Sequence, residues 1–209
     1  MSKTIGRRVK LSQGRGLEDE KKANAKWLTL ERKDIFHSKV FGLRAERVQL
    51  PDGRVMPAYY IMDFPDWVHI LAVTPSLHFV MLCQYRHAAG ESFLELPGGS
   101  TDPRAPAESP LQAAQRELAE ETGYTSKNWV HVISHSPNPA LQSNQMHTFL
   151  AWDCELSQDP QLDDFEDLEV VLTPIADVFD LLDHGQINHS LMAASLAGAR
   201  SHFKEILGK

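Results

Sequence analysis

Residues 108–124, ESPLQAAQRELAEETGY, constrain this chain more than any other stretch. They specify both ends of a helix and then load its last turns with charge that a helix resists. Ser109 suits an N-cap, Pro110 the first helical position, and Gln112 the reciprocal position of a capping box. Gly123 stands where a left-handed C-terminal cap is wanted. Leu111, Ala114 and Leu118 make one apolar stripe, so the helix must lie against a core. At roughly 100° per residue, Glu117, Glu120 and Glu121 fall on the flank of that stripe. Glu117 and Glu121 repel as i,i+4 neighbours, and all three acids sit toward the negative end of the helix dipole. Each penalty is roughly 0.2–0.5 kcal/mol when exposed, so a solvated acidic face is one reading. The other is a site for Mg²⁺, which takes hard oxygen ligands from adjacent turns and keeps places for water and phosphate oxygens. In that reading Arg116 pins a neighbouring carboxylate, and Gly98-Gly99 lets backbone approach the ion closely.

The rest of the chain is that of a folded domain. Of 209 residues, 42% are hydrophobic and 23% charged, with a net charge of −7. That suffices for one well-buried core plus an appendage. No run approaches the ~18 apolar residues of a membrane span, and no apolar leader opens the chain, so a cytoplasmic protein without membrane contact is expected. Cys83 and Cys154 lie in apolar runs and are expected to be reduced core residues. Net acidity argues against a nucleic-acid partner, whose affinity would rest on basic surface.

Three segments are expected. Residues 1–26 hold Lys3, Arg7, Arg8, Lys10 and Arg15 with no acid before Glu18, and read as a basic tail followed by a short polar helix at 17–25. Residues 27–64 read as a strand block with strands at 27–30, 34–41, 44–50 and 55–64, turning at Pro51-Asp52-Gly53. Residues 65–209 mix strands (66–73, 79–86, 92–96, 129–134, 146–153, 170–172) with helices at 109–123, 174–184 and 190–207. That mixture implies a layered α/β or α+β fold. An acidic loop at 159–169 includes Glu166.

The spacing Glu108, seven residues, Arg116-Glu117-Leu118, one residue, Glu120-Glu121, one residue, Gly123-Tyr124 resembles the Nudix box. Gln84-Tyr85-Arg86, Leu94-Glu95-Leu96-Pro97-Gly98-Gly99, Pro139 and Gly185-Gln186-Ile187 are similar to the ADP-ribose and nucleoside diphosphate sugar pyrophosphatase branch of that family. The likeness runs from about Arg44 to Arg200. Eight residues separate Gly99 from Glu108, where the family usually has roughly five, and Ala107 replaces the usual glycine. The box spacing itself is untouched. The resemblance implies an α/β/α sandwich with a mixed sheet and an N-terminal antiparallel β subdomain at 27–64. It also implies a homodimer whose β subdomains contribute to the pockets.

It further implies metal-dependent hydrolysis of the pyrophosphate in a nucleoside diphosphate sugar. Glu117, Glu121, Glu120 and the Gly98 carbonyl are the implied ligands of Mg²⁺ or Mn²⁺. Glu108 and Arg116 would orient those carboxylates or form a purely structural ion pair. Glu166 is the implied general base, with a box glutamate or another loop acid as alternatives. Arg86 suits a diphosphate or ribose and Glu95 a base or ribose hydroxyl, against a simple salt bridge between strands. Trp27 and Tyr60 are candidates for stacking on a nucleobase, or core residues, and Pro139 belongs to the substrate side. Two other readings remain: a Nudix hydrolase of dinucleotides or nucleoside triphosphates, and a catalytically silent sensor of nucleotide sugars. RNA decapping would want a basic groove that only the tail could supply.

Overall fold

The computed structural model describes residues 26–102, 105, 108–162 and 165–208. The basic tail and the helix expected at 17–25 lie outside the described residues, as does half of the longer loop before Glu108. The chain divides into two compact units, one ending at Met62 and the other beginning at Asp63.

The first unit is a three-stranded sheet, β1 (Leu28–His37), β2 (Gly42–Gln49) and β3 (Val55–Asp63), in that order. Gly53 adopts φ +89°, as the Pro-Asp-Gly turn requires, and the Leu50 N–H closes the turn onto the Arg54 carbonyl at 2.8 Å. The break expected at 31–33 does not occur. β1 runs straight through the charged Glu31-Arg32-Lys33, because both its faces are in water and nothing penalises charge there. Register shifts at Thr29/Glu31 and Asp34/Phe36 mark the irregularity instead. Leu28, Leu30, Ile35 and Phe36 are all exposed on this strand.

The second unit contains β4 (Trp67–Ala72), β5 (His78–Arg86), β6 (Glu91–Glu95) and β7 (Gly98–Ser100), then α1 (Pro110–Thr122). β8 (Tyr124–Thr125), β9 (Asn128–His135), β10 (Met146–Trp152), β11 (Glu155–Leu156) and β12 (Leu168–Pro174) follow. The chain ends in α2 (Ile175–Asp183), α3 (Ser190–Ala199), a 3₁₀ turn at Arg200–Phe203 and α4 (Lys204–Leu207). The main sheet has the order β7-β4-β10-β9 and is mixed, since β4 and β10 are parallel and the other pairs antiparallel. A second sheet, β12-β5-β6, is antiparallel.

Strand alternation divides the core into two layers. Leu71, Val73 and Leu150 face Val178, Phe179, Met192 and Leu196 of α2 and α3. Val68, Ile70, Ala72, Phe149 and Ala151 face Ala113, Ala114 and Leu118 of α1. The result is a sheet between helical layers, in which the apolar stripe of α1 is buried as its spacing demanded. Cys154 is buried in the α1 layer, whereas Cys83 is only half-buried, and both are free thiols.

Two expected elements differ. The single helix expected at 190–207 breaks after Ala199, because Phe203 turns inward against Phe79, Phe179 and Trp152 at 5.3–5.5 Å between ring centroids. The strand expected at 170–172 is longer. It pairs with β5 from Leu168 opposite Gln84 to Pro174 opposite His78, so partner hydrogen bonds extend what local propensity left short. No helix among the described residues is long and apolar enough to cross a membrane.

Candidate active site

The helix α1 forms with the ends its sequence specifies. The Ser109 side chain accepts the Gln112 N–H while the Gln112 side chain accepts the Ser109 N–H, and Gly123 takes φ +73° with its N–H on the Ala119 carbonyl. This fixes the rotation of α1 and turns its acidic flank toward β7. The Gly98 N–H donates to Glu121 Oε2 at 2.8 Å. A Cβ on Gly99 would come within 2.4 Å of the Glu117 carboxylate, and one on Gly98 within 2.1 Å of the Val68 carbonyl oxygen. Bare backbone is therefore a steric necessity at Gly98, which abuts backbone, while at Gly99 a side chain would displace the Glu117 carboxylate.

Arg116 organises the exposed side of the cluster. Its Nε donates to Glu108 Oε1 at 2.9 Å, Nη1 to Glu117 Oε1 at 2.9 Å and Glu120 Oε2 at 3.0 Å, and Nη2 to the Ser100 carbonyl at 3.0 Å. The hydrogen bond from Arg116 holds the Glu108 carboxyl below its ordinary range, and the Asp102 N–H adds to this at 2.8 Å. Arg116 is in turn held still more firmly protonated. Glu117 and Glu121 move the other way. Burial raises the Glu117 pKa against the opposing pull of Arg116. Burial, reinforced by the charges of Glu117 and Glu166, raises Glu121 to about 8 even though the Gly98 N–H favours its ionised form.

A cavity of about 550 Å³ opens over this cluster. Its walls include Arg86, Glu95, Gly98, Arg116, Glu117, Glu120, Glu121 and Glu166, so eight of the residues singled out from sequence are brought together. Glu166 arrives through the β12–β5 pairing. With Leu168 opposite Gln84, the chain just before β12 runs back alongside Arg86, whose pKa its charge helps to raise. The Gln161 N–H donates to the Glu120 carbonyl at 2.7 Å and ties the acidic loop to α1. Arg86 and Glu95 bind each other through both carboxylate oxygens, at 2.8 and 2.6 Å, and Glu95 is buried.

Other residues named from sequence lie elsewhere. Glu108 stands behind Arg116 rather than in the cavity wall. Pro139 is exposed and outside the wall. Trp27 and Tyr60 belong to the first unit, where both are exposed and Trp27 meets Tyr59 edge to face at 6.1 Å. Sequence reasoning missed Trp67, His69, Met146, Gln161, His189 and Leu191, all of which line the cavity. The only local signal was His69 at an inward-facing position of an otherwise apolar strand.

Among the described residues, no three His, Cys, Asp or Glu side chains enclose an ion as they stand. Arg116 occupies Glu117 and Glu120, and the Gly98 N–H occupies Glu121. The donor set nevertheless fits a divalent cation. Burial raises the pKa of Glu117 and of Glu121 in spite of Arg116 on the former, so both carboxylates would gain from a cation, and the close approach of Gly98 to Val68 leaves no room for a side chain there.

The fold and cavity define an α/β/α protein in which a cluster of carboxylates from one helix lines the cavity wall. Residues 65–194 match the NUDIX domain, and the chain belongs to that family and is a Nudix hydrolase. It is 31% identical over 160 residues to the ADP-ribose pyrophosphatase of Bacillus subtilis (strain 168), covering 76% of this chain and 84% of that one. It is 32% identical over 123 residues to the methanol dehydrogenase activator of Bacillus methanolicus, covering 59% of this chain and 64% of that protein. A crystal structure of an ADP compounds hydrolase superposes with a TM-score of 0.74 at 24% identity, covering 87% of this chain and 96% of that one, and supports the fold. Nudix hydrolases generally use divalent metal ions.

Proposed function

We propose that this chain hydrolyses the pyrophosphate bond of a nucleoside diphosphate sugar, ADP-ribose or a close relative, giving a nucleoside monophosphate and a sugar phosphate. The observation that carries the reading is one cavity lined at once by Glu117, Glu120, Glu121, Glu166 and Arg86. The likeness to an ADP-ribose pyrophosphatase supports the choice of substrate.

Glu117, Glu121, Glu120 and the Gly98 carbonyl would hold Mg²⁺ or Mn²⁺. When bound, such an ion supplies charge neutralisation at phosphate oxygens and a more acidic attacking water. Arg116 and Glu108 hold Glu117 and Glu120 in place. Arg86, itself fixed by Glu95, binds a diphosphate oxygen. Glu166 accepts the proton of the water whose oxygen bonds to phosphorus, while the bridging oxygen leaves with the other phosphate.

A substrate panel with Mg²⁺ and with Mn²⁺, with products identified, tests this reading. ADP-ribose, ADP-glucose, GDP-mannose, NADH, diadenosine polyphosphates and 8-oxo-dGTP form the set. AMP and ribose 5-phosphate from ADP-ribose are expected at the highest kcat/KM. Mononucleotide released mainly from the dinucleotides, or turnover mainly of the triphosphate, would transfer the assignment to those substrates.

The reading includes a homodimer built on the strand block at 27–64, with Trp27 and Tyr60 available to a nucleobase. The support is β1, whose four large apolar side chains stand in water. Sedimentation equilibrium should return twice the 23.5 kDa chain mass, and Phe36→Asp should shift it toward monomer. A wild-type monomer at all concentrations would remove the dimer.

A further inference from the structure

The cavity has a half that the hydrolytic chemistry leaves unused. Trp67, His69 and Met146 lie on the face of the main sheet that looks toward α3, and His189 and Leu191 close over them from the start of α3. The carboxylates lie on the opposite, α1 side. Gly98 is where the two halves meet, because its N–H holds Glu121 while a Cβ on it would come within 3.0 Å of the His69 ring.

Behind His69 runs a chain of hydroxyls in an otherwise apolar layer. His69 and Thr148 are in register on adjacent strands, and Ser195 of α3 sits between them. His69 Nδ1 is 3.0 Å from Ser195 Oγ, which is 2.9 Å from Thr148 Oγ1. Ser195 and Thr148 are completely buried, His69 nearly so, and their neighbours are Leu71, Leu150, Met192 and Leu196. Burying three polar groups gains little over an apolar packing of the same volume, so stability gives no reason for them. The chain has one outlet, the His69 ring in the cavity wall. With Nδ1 bound to Ser195, Nε2 is the nitrogen left for a ligand. His189 is fixed as well, since its Nδ1 accepts the Met192 N–H at 3.2 Å and its ring stands 6.1 Å from both His69 and Phe93.

We infer that this half of the cavity binds the terminal sugar of the substrate, with His69 Nε2 hydrogen-bonded to a sugar hydroxyl and Ser195 and Thr148 holding the ring in place. The inference rests on the hydrolytic reading above. A group joined to a diphosphate on the carboxylates and passing over Gly98 enters this half directly. There it meets Trp67, His69 and Met146 on the sheet and His189 and Leu191 at the start of α3, a lining that suits a sugar ring. The His69 imidazole offers a hydrogen bond suited to a hydroxyl, where a further phosphate would require cations. His69 is thus a specificity residue, and Ser195 a positioning residue that acts through it.

Steady-state kinetics on ADP-ribose and on the β-methyl ester of ADP, which keeps the diphosphate ester and lacks the sugar, provide the test. Wild type should prefer ADP-ribose. His69→Leu should reduce the ratio of the two kcat/KM values by at least about tenfold, chiefly through KM for ADP-ribose. Ser195→Ala should shift the ratio the same way by a smaller factor. It removes one hydroxyl only, and so decides the matter alone if His69→Leu does not fold. An unchanged ratio in folded variants, or equal losses on both substrates, overturns the subsite while leaving hydrolysis standing. Wild type that cleaves neither compound overturns the ADP-ribose assignment above and this inference with it.

Discussion

Glu121→Gln should abolish metal-dependent turnover, by about a thousandfold or more, and at the same time stabilise the metal-free protein at alkaline pH. The two effects share one cause. Glu121 is 6% exposed, surrounded by the charges of Glu117 and Glu166, and its pKa stands at about 8 rather than the ordinary 4.5. A carboxyl whose pKa rises on folding binds its proton more tightly in the folded state. Its contribution is therefore intact below about pH 4.5 and is lost as pH rises toward 8. At roughly 1.4 kcal/mol per pK unit, the charged form costs the metal-free fold on the order of several kcal/mol by pH 9. Glutamine keeps an oxygen to accept the Gly98 N–H and carries no charge. The variant should match wild type in urea unfolding near pH 4.5 and exceed it increasingly up to pH 9, with EDTA present throughout. Mg²⁺ should stabilise wild type far more than the variant. Retained turnover would remove Glu121 from the metal site, and a pH-independent stability difference would contradict the burial argument.

Glu166→Gln should lower kcat by roughly 10²–10⁴-fold, with KM for ADP-ribose changed less than about threefold. Glutamine preserves size and hydrogen bonding but cannot take a proton from water. The residue lines the same cavity as the box glutamates, and its charge acts on Arg86, Glu117 and Glu121 alike. Loss of that charge also relieves Glu117 and Glu121, so metal affinity should hold or rise. Isothermal titration with Mn²⁺ separates the two roles. A variant with wild-type kcat would pass the base to another acid, and a collapse of Mn²⁺ affinity would make Glu166 a ligand instead.

The legible parts of the site were those encoded within a few residues. Ser109, Gln112 and Gly123 act on backbone groups three or four positions away, so the ends of α1 could be read from spacing. Its apolar stripe dictated which side was buried and hence which flank the acids would occupy. Glu166 was legible only through family resemblance, because a loop of many acids names none of them; its place follows from β12 pairing with β5. The break after Ala199 was illegible, since residues 190–207 read as one helix and it is the burial of Phe203 among three aromatic rings that bends the chain.

By itself, the sequence determined the helix, the order of its carboxylates, the glycines that let β7 pass beside them and the family to which the chain belongs, because each rests on contacts between near neighbours or on a fixed spacing. The tertiary structure alone decided that Arg86 and Glu95 clamp one another and that Arg116 bridges Glu108 to Glu117 and Glu120. It alone set His69, Thr148 and Ser195 in a line behind the far half of the cavity. Those partners lie up to 126 positions apart, and only strand register and helix packing bring them within hydrogen-bond reach.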